Sequence, residues 1–156
     1  MKNVILITNS FPFGIVEAGF LAPEYEVLKE KADVYTVTRN TKDKMTTSVP
    51  EDRVFRYASH YGKSAFVYFL KALVSPMYYR ELAYLKREKK LTFSNAKRAL
   101  TTLMRAFHFE TFLKKVRSRA DGECVLYTYW NDYTALAAAL AAKNGDRVVS
   151  VSYTHL

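Results

Sequence analysis

A short apolar run, Val4-Ile5-Leu6-Ile7, leads through Thr8-Asn9-Ser10 into Phe11-Pro12-Phe13-Gly14, and this passage constrains the fold more than any other. Unbroken and rich in β-branched side chains, the run suits a strand covered on both faces, so it reads as a central strand. Pro12 and Gly14 then end the pairing, because Pro has no N–H and Gly tolerates dihedrals that other residues avoid. Leu21 to Lys31 reads as a helix with Pro23 in its first turn and an apolar stripe of Leu21, Tyr25 and Leu28. Glu24 and Glu26 lie near the positive end of its dipole, Lys29 and Lys31 near the negative end. Asp33 to Thr38 follows as a second strand, so the opening segment makes one β-α-β unit. In an open α/β sheet the turn after such a strand is where ligands bind. The lone acid just past that turn, Glu17, is therefore a candidate site residue.

The alternation in Arg53-Val54-Phe55-Arg56-Tyr57 reads as a third, half-exposed strand after a polar connection from Arg39 to Asp52. The middle is helical. Ser64 is expected to cap a segment running to Val74, Pro76 restarts the chain, Met77 to Lys90 continues it, and Ser94 caps a long helix to about Arg119. In that helix Ala99, Leu103, Ala106, Phe109, Leu113 and Val116 recur at steps of three and four, one buried stripe. Glu123 to Trp130 reads as a strong fourth strand. Asp132 is expected to cap a helix with Tyr133, Leu136, Ala137, Leu140 and Ala141 inward, Asn144-Gly145 to end it, and Arg147 to Val151 to form a fifth strand. The expected fold class is α/β, a Rossmann-like parallel sheet over 1–150 with a basic helical insertion at 63–119. The fifth strand is followed by no covering helix, which a doubly wound sheet would need.

The length of 156 residues suits one well-filled core, and 49% hydrophobic with 25% charged residues is ordinary for a globular domain. The net charge of +9 is localised: Lys63 to Arg119 holds fourteen Lys or Arg against Glu81, Glu88 and Glu110, more than the whole excess. A single cysteine, Cys124, excludes an internal disulfide framework and fits a reducing compartment. Val4 to Ile7 is too short for the core of a secretory leader, so the expected location is cytoplasmic.

Three segments together resemble the N-terminal, acceptor-side domain of bacterial group 4 glycosyltransferases, retaining enzymes with two Rossmann-like domains in the GT-B fold. The first is Ile5 to Gly14 with Glu17, Phe20 and Glu24, similar to the strand, Phe-Pro-aromatic-Gly turn and spaced acids with which such chains open. The second is Leu126-Tyr127-Thr128-Tyr129-Trp130, similar to the Tyr-x-Tyr-Trp strand end of one branch. The third is the placement of the basic helical block. The resemblance covers Met1 to Val151 and implies transfer of a sugar from a nucleotide-sugar donor to a polysaccharide or lipid-linked acceptor. It also implies a C-terminal donor-binding domain that is absent from these 156 residues. Where that branch carries Arg-x-His-Gly, only His155 of Tyr153-Thr154-His155-Leu156 matches, as a catalytic contact to the transferred sugar. Residues 151–156 read as a truncation or an adaptor-like tail. No metal or cofactor is implied; the nucleotide-sugar is a substrate.

On this reading the substrate-binding candidates are Phe13, Gly14, Glu17, Trp130 and Asn131. The Gly14 turn would aim backbone N–H groups at a phosphate or sugar oxygen, Glu17 would orient an acceptor hydroxyl, and Trp130 would form an aromatic wall. Equally, Gly14 only permits the turn, Glu17 is solvated, and Trp130 lies beneath the following helix. His60 and His108 have no Cys, Asp or Glu at metal-ligand spacing and read as ordinary imidazoles.

The basic block mixes Phe66, Phe69, Lys71, Arg80, Lys86 and Arg87 as an interfacial helix pair would, facing an anionic membrane at its inner, cytoplasmic side. Its longest apolar run, Ala65 to Leu70, is far short of the roughly 20 residues that span a bilayer. An ordinary helical subdomain with a solvated basic face fits the same residues. Gly14 and Gly19 do not make G-x-G-x-x-G, no G-K-[ST] follows a glycine loop, and no G-x-S-x-G occurs, so dinucleotide, P-loop and serine-hydrolase chemistry are poor readings. The non-enzymatic alternative is a basic α/β module that binds nucleic acid or anionic membrane. For nucleic acid the charge and twelve tyrosines are suitable, but no recognised motif accompanies them.

Overall fold

Strand β1, Lys2–Thr8, is the middle of five parallel strands in a computed structural model that describes residues 2–39 and 42–151. Around it the order is β3-β2-β1-β4-β5, with β2 at Ala32–Thr38, β3 at Val54–Arg56, β4 at Cys124–Thr128 and β5 at Arg147–Ser150. The fold is therefore α/β and Rossmann-like. β1 buries both its faces: Val4 and Leu6 enter one core cluster, Ile5 and Ile7 the other. Pairing is in register on both sides, Ile5 opposite Tyr35 of β2 and opposite Leu126 of β4.

Helix α1, Ala18–Lys31, covers the first face with Leu21 and Tyr25 buried and Leu28 packed beside them. It begins three residues before the expected Leu21, so Pro23 lies inside the helix and not in its first turn. The N–H that Pro23 lacks would have reached the carbonyl of Gly19, which is exposed and so open to water.

The other face is covered by α4, Phe93–Arg117, and α5, Tyr133–Ala141. With 25 residues, α4 is about 37 Å long. Its second half lies on the sheet through Ala106, Phe109, Leu113 and Val116. Its first half holds α2, Ala65–Leu73, and α3, Pro76–Arg87, through a small cluster of Ala72, Leu103 and Phe107. The expected insertion at 63–119 is thus only partly one, because α4 is also the crossover that returns the chain to β4.

The helix caps are not all where hydroxyls first suggest them. Ser64 has helical dihedrals and its hydroxyl donates to the Tyr61 carbonyl at 2.5 Å, so it caps nothing. Ser75 caps α3 instead, accepting from Met77 N, and Thr92 caps α4, accepting from Asn95 N; both have the extended backbone an N-cap requires. Asp132 caps α5 as expected, accepting from Thr134 N at 2.8 Å. The inward face of α5 is Thr134, Ala137, Ala138 and Ala141, with Tyr133, Leu136 and Leu140 only half-buried. β4 stops at Thr128, two residues short of Trp130, and all four residues of β5 are exposed.

A buried ion pair fastens the opposite end of the sheet. Arg117 meets both oxygens of Asp146, Nε to Oδ2 and a terminal nitrogen to Oδ1, each at 2.7 Å. The remaining guanidinium donors reach the carbonyls of Ala120 and Gly122, and Asp146 also accepts from the amides of Cys124 and Lys143. One forked pair thereby joins the end of α4, the start of β4 and the α5–β5 connection. Hydrogen bonds from Arg117 hold the Asp146 carboxyl down to about 2.

Candidate functional site

Going from β1 the chain first builds outward through β2 and β3, then returns to lay β4 on the other side of β1. The order reverses between β1 and β4, and ligands of open α/β sheets bind beyond the carboxyl ends of the strands at such a point. Two loops meet there, residues 9–17 after β1 and 129–132 after β4.

Glu17 joins them. Its side chain is buried, and it accepts five hydrogen bonds: Asn9 N at 3.2 Å and the Trp130 indole N–H at 2.6 Å on one oxygen, and Ser10 N at 2.5 Å, Phe11 N at 2.9 Å and the Ser10 hydroxyl at 3.1 Å on the other. Three successive main-chain N–H groups after a strand make a concave anion receptor, and α1 starts immediately beyond it. Here the chain's own carboxylate fills that receptor. Glu17 is thus neither solvated nor open to an acceptor hydroxyl; it is the tie between the two loops.

The Gly14 turn is likewise spent internally. Gly14 sits at φ +71°, in the left-handed region glycine favours, and its amide donates to the Lys44 carbonyl at 3.4 Å while its carbonyl accepts from the Thr46 hydroxyl at 2.5 Å. The N–H of Phe13 donates to Ser10 O at 2.6 Å. The expectation that this turn aims free N–H groups at a phosphate is therefore corrected. Phe13 is corrected too: its ring is 1% exposed and lies 3.9 Å beneath the Arg56 guanidinium, out of reach of a substrate.

Trp130 keeps 37% of its surface exposed while its N–H is anchored on Glu17, so it stands as a fixed ring at the rim and not beneath α5. Asn131 beside it is exposed. Phe20 from α1 stacks on Tyr129 at 5.2 Å between centroids, which ties the start of α1 to the loop after β4. His155 lies outside the described residues.

A further group at this rim comes from β2. Arg39, one residue past its end, donates to Asp132 Oδ2 at 3.2 Å and to the Tyr133 hydroxyl at 2.9 Å, bonds the Asn9 side chain, and lies over the Tyr133 ring. The other Asp132 oxygen caps α5, so Arg39 fixes the position of the β4–α5 loop from the far side. Beside it opens a cavity of about 370 Å³ lined by Arg39, Tyr57, Ser59, Tyr61, Arg105 and Tyr133. The Tyr57 hydroxyl is hydrogen-bonded to His108 Nδ1. Burial raises the Tyr57 and Tyr61 phenols above their ordinary range and lowers His108 below its own, so all three are neutral near pH 7. None of these lining residues stood out as a site residue in the sequence. Arg39 carried the one usable signal, its place just past the carboxyl end of a strand.

The basic block divides into inward and outward cations. Lys71 is exposed at its surface side but pairs with buried Glu110 at 2.9 Å over the Phe107 ring, so its charge is shared with a carboxylate. Lys114 bonds the other Glu110 oxygen at 2.6 Å; burial alone would raise that carboxyl, but the two lysines more than offset it and hold it below the usual range. Phe69 is half-buried and stacks on Phe66. Phe66, Val67 and Leu70 are exposed along α2 and Val74 just past its end, and Arg80, Lys86 and Arg87 are exposed along α3. Among the described residues no helix is long and apolar enough to cross a membrane, and no three His, Cys, Asp or Glu cluster as metal ligands would.

No protein-family model matches the chain, and the searches of curated proteins and of solved structures found nothing similar to it.

Proposed function

We propose that this domain is the acceptor-side half of a GT-B glycosyltransferase, working with a nucleotide-sugar donor and a polysaccharide or lipid-linked acceptor at the cytoplasmic face of a membrane. The observation that carries the reading is the Glu17–Trp130 tie. Two of the three segments on which the family resemblance rests lie far apart in sequence, yet they meet at the sheet's switch point and hold a half-exposed indole there. An aromatic face beside polar groups is what a sugar needs, since its C–H face stacks while its hydroxyls find partners. Because Glu17 occupies the amide receptor after β1, the donor diphosphate falls to other residues, and in the family these belong to a second domain. Retention of anomeric configuration follows from the resemblance. The apolar stripe of α2 next to the outward cations of α3 supports contact with an anionic bilayer, where each Lys or Arg near the surface contributes on the order of 1 kcal/mol.

One titration series tests this. The indole N–H resonance of the single Trp is followed while hexoses and oligosaccharides of cell-surface type are added at millimolar concentration. At least one is expected to shift it, and the chain is expected to sediment with phosphatidylglycerol vesicles but not with phosphatidylcholine ones. An indole indifferent to every sugar, with tight salt-dependent binding of single-stranded oligonucleotide instead, would replace this reading with a nucleic-acid module.

A further inference from the structure

The cavity beside Arg39 is lined by two guanidiniums and no acidic side chain. Its other walls are three phenols and the Ser59 hydroxyl. At about 370 Å³ it falls in the small-ligand range of roughly 300–1,000 Å³. The charges are unequal in their commitments. Arg39 is tied to Asp132, Tyr133 and Asn9, which leaves its fork fixed in place. Arg105 is exposed on α4, forms no ion pair among the described residues, and lies beside the Tyr61 phenol. Asp132, outside the lining, offsets the Arg39 charge at 3.2 Å, and burial holds Tyr57, Tyr61 and His108 in their neutral forms, so among the lining residues no anion faces Arg105.

We infer that this cavity takes a compact oxyanion, a phosphoryl or carboxylate group, with Arg39 as the preset donor and Arg105 closing on it from α4. The place of the cavity is what gives the group a meaning. Arg39 touches both Asn9 of the β1 loop and Asp132 of the β4 loop, so the oxyanion sits next to the rim that carries Trp130. The acceptor is then an acidic sugar or a sugar phosphate, not a neutral glycan; this part rests on the acceptor-side reading, whereas the oxyanion site itself does not. Planar guanidinium forks match both phosphate and carboxylate geometry, and neutral hydroxyl walls supply further donors without competing charge.

Calorimetric titrations of the whole chain with inorganic phosphate, glucose 6-phosphate, glucuronate and glucose decide the matter, alongside the variants Arg105→Gln and Arg105→Lys. Arg105 is exposed, so both variants are expected to fold, and the thermal midpoint verifies it. The expected result is binding of glucose 6-phosphate or glucuronate at least tenfold tighter than glucose, lost at least tenfold in Arg105→Gln and partly kept in Arg105→Lys. Phosphate binding that depends on Arg105, with no preference for any sugar, supports the oxyanion site and overturns the acceptor reading. Glucose binding as well as its charged analogues, unaffected by Arg105→Gln, overturns the oxyanion site and leaves the acceptor reading standing. No binding of any probe overturns the site.

Discussion

Replacing Glu17 with alanine is expected to destabilise the fold by about 3–5 kcal/mol, although the residue lies in a surface loop. The substitution strands three main-chain amides, a serine hydroxyl and an indole N–H around a buried carboxylate, Phe11 N in a buried place and the other four in part-buried ones. Each buried donor left without an acceptor costs about 1–3 kcal/mol, and water entering the vacated volume recovers only part of that. For a domain whose total stability is on the order of 5–15 kcal/mol, such a loss is severe. Glu17→Gln keeps the volume but turns an NH₂ group towards donors, so a smaller loss of about 2–3 kcal/mol is expected. Urea denaturation gives both values. A double-mutant cycle of Glu17→Gln with Trp130→Phe isolates the bridge between loops, and a coupling of about 1–2 kcal/mol is expected. Losses below about 0.5 kcal/mol, the range of ordinary surface substitutions, would show that Glu17 is not buried as described.

The second large effect belongs to the Arg117–Asp146 pair. Asp146→Asn leaves a guanidinium that is almost wholly buried without its counter-charge, and removal of one partner from such a pair costs about 3–5 kcal/mol. The pH dependence has a definite sign. The folded carboxyl sits at about 2 against an ordinary 3.8, so its contribution is fully present above pH 3.8 and is lost as pH falls towards 2. That interval corresponds to about 2 kcal/mol. The wild-type chain is expected to lose this stability between pH 4 and 2, and Asp146→Asn, already weaker at pH 7, to show a correspondingly shallower acid limb. Urea midpoints at pH 7, 4 and 2.5 measure it; parallel acid limbs in the two proteins would contradict the assignment.

How much of this was legible in the residues depends on the distance over which each feature is decided. The Val4–Ile7 run fixes a doubly covered strand because its character is local, and Asp132 announces its cap because the accepting amide is two residues away. Ser94 and Thr92 show where local reading ends. Both are hydroxyls in the right place, but only Thr92 has the extended backbone from which its oxygen reaches Asn95 N. The start of α1 was hidden for a related reason: Glu17 precedes the helix without capping it, its side chain being drawn off to the β1 loop, while Pro23 imitates a first turn. Glu17 itself could be singled out but not understood. Its decisive partner, Trp130, is 113 residues away and reaches it only because β4 lies beside β1. The Arg39–Arg105 cavity was invisible, since the segments just past β2 and β3, together with α4 and α5, each supply a wall and no two lining residues form a recognisable pattern.

The claim on which the account turns is that one buried carboxylate holds the two rim loops together. Hydrogen exchange of the Trp130 indole N–H, a single resonance because the chain has one Trp, tests it most directly. The account predicts a downfield, slowly exchanging indole in the native chain that moves upfield and exchanges rapidly in Glu17→Gln under conditions where the protein remains folded. An indole that exchanges freely with water and ignores the Glu17 substitution would contradict it.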